Sequence, residues 1–309
     1  MAERALPSNL IEAVRYFSDP DVCSAFVADL RWPNGPECPR CGVDQFSYLT
    51  TRRLWKCKGC KKQYSVKLGT IFEDSAIPLD KWLCSIWLIA NSKNGISSHE
   101  LGRSVGLTQK SAWFVLHRIR LAMQTGTFEK MDGTVEVDES FIGGKARNMH
   151  RSDVPRKIHQ QPNKGKSIVV GARSRDRGQV RASVVPNPQR DTLQPYVRDN
   201  VSAGATVYTD AHSGYTGLEG EYTHRTVDHA THYVDGQVHS NGIENFWSLL
   251  KRGLHGTYIS VRPFHLYRYL DERVFTYNHR ESTDLGRFTT VLEMVSGRRL
   301  TWAQVTGKA

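Results

Sequence analysis

The chain has 309 residues and 39% hydrophobic content, enough for a sizeable core with one or two small modules beside it. A net charge of +11 points to a polyanionic partner, because clustered Lys and Arg gain free energy by releasing counterions from phosphates. No stretch approaches the ~18 consecutive apolar residues of a membrane span, and Met1-Ala2-Glu3-Arg4-Ala5 lacks the layout of a signal peptide, so the sequence reads as a cytoplasmic protein.

Residues 1–30 read as a helical lead-in, with Leu10, Ile11, Val14, Phe17 and Phe26 at helical spacing. Residues 31–70 are rich in turns and hold Cys38-Pro39-Arg40-Cys41 and Cys57-Lys58-Gly59-Cys60, two C-x-x-C pairs fifteen residues apart. Each pair makes a tight knuckle, and an intervening hairpin brings the thiolates around one tetrahedral ion. One structural zinc ion is therefore expected on Cys38, Cys41, Cys57 and Cys60. Cys84 reads as a small buried hydrophobe. Arg40, Arg52, Arg53, Lys56, Lys58, Lys61 and Lys62 give the ribbon a basic surface, suited to DNA or incidental to a structural module.

Residues 71–125 carry three helical patterns. Ser97 caps the second and Thr108 the third, and Gly106 makes the turn between them. That layout fits a helix-turn-helix, with Gln109, Lys110, His117, Arg118 and Arg120 of the third helix as candidate DNA contacts. A helical linker packed on the next domain is the plainer alternative.

Beyond Asp132-Gly133 comes the strand Thr134–Asp138, whose alternation puts Val135 and Val137 on one face and Glu136 and Asp138 on the other. A polar loop over 145–166, a hairpin of 167–172 with 180–185, and a helix over 191–200 follow. Next are a strand ending at Asp210, another near 222–227, and a helix from His239 or Ser240 to about Leu254.

Asp138 and Asp210 on strands, with Glu244 early on that helix, give three carboxylates in a basic chain. Hard cations prefer such oxygens, and two of them ~3.5–4 Å apart activate an attacking oxygen and stabilise a leaving one. A lone acid at any of these positions could equally form a turn or face solvent. The residues alone do not choose among Glu136, Asp138 and Glu139. His224, His229, His232 and His239 have no standard metal spacing. Phe246 and Trp247 read as core.

From about Asn9 to Thr301 the chain resembles bacterial and archaeal insertion-sequence transposases that join a zinc ribbon to a DDE-type integrase domain. The resemblance rests on 38–42, 55–60 leading into 65–72, 135–145, Tyr208-Thr209-Asp210, 239–252 and 269–280, in the family's order. It implies an α/β, ribonuclease-H-like mixed sheet with flanking helices, preceded by a zinc ribbon and a helix-turn-helix. It implies Asp138, Asp210 and Glu244 as the catalytic triad holding two Mg²⁺, with Mn²⁺ expected to substitute, and Glu136 and Glu139 as supporting acids. Lys145, Lys251 and Arg252 become candidate phosphate contacts, and His239 and Asn241 candidate orienting groups.

The implied chemistry frees 3′-hydroxyls at element ends and joins them to target DNA. The implied partners are terminal inverted repeats, target DNA and further copies of the chain in a dimeric or larger synaptic assembly near the nucleoid. The expected boundaries are 1–30, 31–70, 71–125, 130–285 and a tail of 286–309. A zinc-ribbon DNA-binding protein without catalysis and a related ribonuclease-H-like nuclease are the competing readings.

Overall fold

The computed structural model describes residues 5–124, 129–144, 165–227 and 239–307. It parts into two compact units, one formed by the chain up to Thr125 together with 279 onward, the other by 126–278.

The first unit opens with α1 (Leu10–Tyr16) and α2 (Pro20–Arg31). The side chains of Asn9 and Asp19 accept backbone N–H groups in the first turns of these helices. The strands β1 (Phe46–Leu49), β2 (Leu54–Cys57) and β3 (Gln63–Tyr64) make an antiparallel sheet with Phe46 opposite Cys57 and Trp55 opposite Tyr64. Three helices follow, α3 (Leu79–Asn91), α4 (Ser98–Val105) and α5 (Gln109–Met123). Ser97 and Thr108 cap α4 and α5 by accepting the amides of Glu100 and Ser111. Between them Gly106 takes φ +64°. Gly102 must lack a side chain, since a Cβ there would lie 2.8 Å from the Leu107 carbonyl where the turn doubles back.

The segment expected to be a tail completes this unit. Phe288 of α9 (Asp284–Glu293) is fully buried among Phe17, Phe26 and Trp87, with ring centroids 5.1–6.1 Å away. Ile71 N–H donates to Val295, and Arg298 donates to the carbonyls of Leu121, Ala122 and Gln124, satisfying the open end of α5. Sequence pattern could not show this, because the helix's apolar residues are few and its partners lie at the other end of the chain. A short α10 (Trp302–Thr306) ends the described residues.

The second unit is a five-stranded sheet in the order β6-β5-β4-β7-β8. These strands are β4 (Thr134–Ile142), β5 (Ser167–Ser174), β6 (Val180–Val185), β7 (Thr206–Asp210) and β8 (Thr223–Val227). The first three form an antiparallel meander, and β7 and β8 add in parallel. Helix α6 (Arg190–Asn200) buries Leu193, Tyr196 and Val197 with Val135, Val137, Val170, Ala172 and Val207 on one face. On the other, α7 (Asn241–Gly253) and α8 (Leu266–Asn278) bury Ile243, Phe246, Trp247, Leu250, Leu270 and Val274 with Ile142, Val169 and Val180. This is the mixed α/β sheet with flanking helices that the sequence led us to expect. Strand β4 runs four residues past Asp138, because β5 pairs with it as far as Ile142 opposite Ser167. Asp138 is thus mid-strand, not at the strand end.

Among the described residues no helix is long and apolar enough to cross a membrane.

Candidate functional site

In the ribbon, the sulfurs of Cys38 and Cys60 are 3.7 Å apart and those of Cys41 and Cys57 3.5 Å, and all four lie within 4.8 Å of one another. Tetrahedral Zn–S bonds of about 2.3 Å place sulfurs about 3.8 Å apart, so the set fits one zinc ion. Two local donors prepare the thiolates: Gly59 N–H donates to Cys57 Sγ at 3.3 Å, and the Val43 amide is the main cause holding the Cys41 thiol down at about 7. Around the knuckles, Arg40, Arg52, Lys56, Lys58, Lys61 and Lys62 are exposed. Arg53 is instead paired with Asp21 at 2.5 Å.

The helix-turn-helix residues divide. Gln109 and Lys110, in the first turn of α5, are exposed; Gln109 donates to Ser98 Oγ and Lys110 lies over the Trp302 ring. His117, Arg118 and Arg120 are only 1%, 4% and 1% exposed, so none of these three can contact DNA as expected. Arg118 donates to the carbonyls of Ile71, Glu73 and Leu300 and stacks on Phe114. Basic character in a helix pattern suggested surface; here the guanidinium ties loose backbone together inside the unit.

In the second unit, the parallel register pairs Thr134 with Thr206 and Glu136 with Tyr208. Two residues further on, that register brings Asp138 alongside Asp210, on adjacent strands whose spacing is roughly 4.8 Å. Both project to the face that α7 covers. The Asp138 carboxylate is held at both oxygens: Oδ1 accepts Glu139 N–H at 2.8 Å and Oδ2 accepts the Trp247 indole N–H at 3.0 Å. Burial, then the charges of Glu139 and Asp210, push its pKa up to about 7. Asp210 Oδ1 accepts His212 N–H. Glu139 takes the Tyr215 hydroxyl at 2.7 Å, and its own pKa is raised, chiefly by burial.

Glu244 lies in the first turn of α7, where Ser240 Oγ donates to its Oε1 at 2.8 Å. Three residues on, one helical turn, is Trp247. Among the described residues the four thiols are the one group of three or more metal-type side chains closing to within 4.8 Å; Asp138, Asp210 and Glu244 do not close so tightly as a trio.

Glu136, which the residues alone could not separate from Asp138, differs from it in its surroundings. It is fully buried and paired with Arg175 at 2.7 Å and Arg173 at 3.5 Å, and it accepts Ile243 N–H at the start of α7. Arg175 also reaches the carbonyl and ring of His239, at 2.6 and 2.8 Å. A Cβ at Gly242 would lie 2.3 Å from Arg173 Nη1 and 2.6 Å from Glu136 Oε2, so a larger residue there would have to displace this clamp. Glu136 is thus neutralised by protein cations, whereas Asp138 has no cationic partner among the described residues. Neither Arg173 nor Arg175 stood out in the sequence, because alternation on β5 marks which face a residue occupies and not what it meets there.

Lys251 is half-buried and Arg252 exposed at the far end of α7. Lys251 follows Glu244 by seven residues, two turns along the same side. Lys145, His229 and His232 lie outside the described residues.

Residues 130–278 match the ISXO2-like transposase domain, and residues 18–63 match the transposase zinc-ribbon domain. A relative in Halobacterium salinarum, an uncharacterized protein in the transposable element ISH50, is 26% identical over 241 residues, 74% of this chain and 81% of its own. An uncharacterized transposase-like protein of Haemophilus influenzae is 36% identical over 99 residues, 32% of this chain and 80% of its own.

Proposed function

Since the chain belongs to the ISXO2-like transposases with a zinc ribbon, we propose that it cuts the ends of an insertion sequence and joins the freed 3′-hydroxyls to target DNA. The observation that carries this reading is the parallel register of β4 and β7, which places Asp138 and Asp210 on adjacent strands two residues past the Glu136–Tyr208 pair. The helix that bears Glu244 reaches Asp138 through Trp247. Carboxylates crowded together in a chain of net charge +11 cost free energy unless they serve a cation.

The donor set suits Mg²⁺: oxygen ligands on rigid elements, with Asp138 fixed in orientation at both oxygens and raised in pKa by burial and then by its acidic neighbours. Asp138, Asp210 and Glu244 would hold two such ions, with Mn²⁺ substituting. When bound, these supply Lewis-acid stabilisation of the attacking and leaving phosphate oxygens. The carboxylates themselves set where the ions sit and thereby the line of attack. Lys251 and Arg252 contribute positive charge to a phosphate backbone entering past Glu244.

In the first unit, Gln109 and Lys110 at the exposed N-terminus of α5 and the basic ribbon residues bind the terminal repeats. Two ends must be processed together, so the active form is a dimer or larger synaptic assembly, working on nucleoid DNA in the cytoplasm.

The test uses the full chain, DNA carrying the element's own flanking sequence, and Mg²⁺. Nicks mapped to single nucleotides at the element ends are expected. Asp210→Asn should abolish them with DNA affinity within about twofold of wild type; a mutant that cuts as well as wild type rules the mechanism out. Binding without nicks in the wild type would favour the non-catalytic reading, and nicks with no preference for the ends would favour a plain nuclease.

A further inference from the structure

Trp247 was expected to be core, and it is 4% exposed. Yet its indole N–H is spent on Asp138 Oδ2, at 3.0 Å. The strand register puts Gly171 of β5 directly opposite Asp138. A Cβ at Gly171 would fall 2.7 Å from Trp247 Cη2 and 2.8 Å from Cζ2, so the ring approaches the sheet this closely only because that residue is glycine. The sheet therefore carries a slot beside Asp138, and α7 fills it with a side chain one turn beyond Glu244.

Resting on the catalytic reading above, we infer that Trp247 is a positioning residue that fixes the Asp138 carboxylate and sets the helix bearing Glu244 against it. The other Asp138 oxygen is held by the amide of Glu139, a bond within β4 itself. The indole comes from α7, and so it relates Asp138 directly to the helix that bears Glu244. A phenylalanine keeps an aromatic ring on α7 but loses both the donor and the outer indole ring that lies over Gly171. Partners that orient a ligand typically matter by 10–100-fold in metal affinity or activity.

The experiment compares wild type, Trp247→Phe, Gly171→Ala and Asp138→Asn as full chains. In metal-free protein labelled with ¹⁵N at tryptophan, Trp247→Phe identifies the indole signal, and Asp138→Asn should shift it. Mn²⁺ titration by calorimetry should show Trp247→Phe binding about tenfold more weakly. Its nicking should need about tenfold more Mg²⁺ with DNA affinity close to wild type, while its melting temperature falls modestly from the lost buried ring. Gly171→Ala, which pushes the ring off the sheet, should weaken Mn²⁺ binding in the same direction.

An indole signal indifferent to Asp138→Asn would overturn the inference, as would Trp247→Phe with wild-type Mn²⁺ binding and Mg²⁺ dependence. Only the Mg²⁺ dependence presupposes a wild type that cuts; the indole signal and the Mn²⁺ titration are read without it. A wild type that makes no nicks, with Mn²⁺ binding untouched by Asp138→Asn, sinks the catalytic reading itself and the inference with it.

Discussion

Two acids on one strand face, Glu136 and Asp138, show how neighbours decide what a carboxylate does. Glu136 meets two guanidiniums and the start of α7; Asp138 meets other acids and two N–H donors. The charged form of Asp138 is therefore disfavoured in the folded chain, with a pKa of about 7 against an ordinary value of 3.8. The unfolded chain releases this proton near pH 4, so the folded state binds the extra proton between about pH 4 and 7. Stability from this group is fully present below that window and is lost as pH rises through it.

At about 1.4 kcal/mol per pKa unit, the loss is on the order of 1–3 kcal/mol after relaxation. Melts of metal-free protein from pH 4.5 to 8 should show this decline, and Asp138→Asn should flatten it. The asparagine carries an offset at every pH, since its amide turns a donor toward either Glu139 N–H or the indole, but that offset leaves the slope intact. A wild-type slope no steeper than the variant's would show that Asp138 titrates normally. The sequence made the alternation of this strand legible. It could not show Arg173, Arg175 and Trp247 converging there, since those contacts are set by register and by a helix about a hundred residues away.

At the level of the element, α5 shows where pattern reading works and where it stops. Its caps, its turn glycine and its buried Ala112, Val115, Leu116 and Ile119 are visible in the sequence as a three-to-four-residue apolar repeat. The repeat does not reveal that the opposite side is also covered, by the C-terminal segment, so that Arg118 serves three backbone carbonyls inside the unit. Arg118→Ala should thus lower stability by roughly 2–4 kcal/mol, the cost of stranding buried carbonyls and losing packing. Lys110→Ala should leave the melt within about 0.5 kcal/mol and reduce DNA affinity, lowering the slope of log affinity against log salt by about one. Thermal melts and salt-dependent binding isotherms on the two variants check both. A reversal, with Arg118→Ala folding normally but losing DNA, would restore that arginine to the DNA surface.

At the scale of the whole molecule, the division into two compact units implies two separable stabilities. The ribbon has a three-stranded sheet with one strand of two residues, too little core to hold itself without the thiolate site. The second unit has two apolar clusters, one on each face of its sheet, and owes nothing to the cysteines. Stripping zinc with a chelator should therefore loosen the backbone around the already exposed Arg52, Lys56, Lys58, Lys61 and Lys62 so that trypsin cuts there, while the sheet of the second unit stays folded. Terminal-repeat binding should fall with the ribbon, and the pH-dependent stability tied to Asp138 should persist in the surviving unit. Trypsin profiles by mass spectrometry, with and without chelator and after zinc is restored, decide the matter. Cleavage within the ribbon that ignores the chelator would mean that the four sulfurs hold no ion. Simultaneous loss of both units would mean that they fold as one.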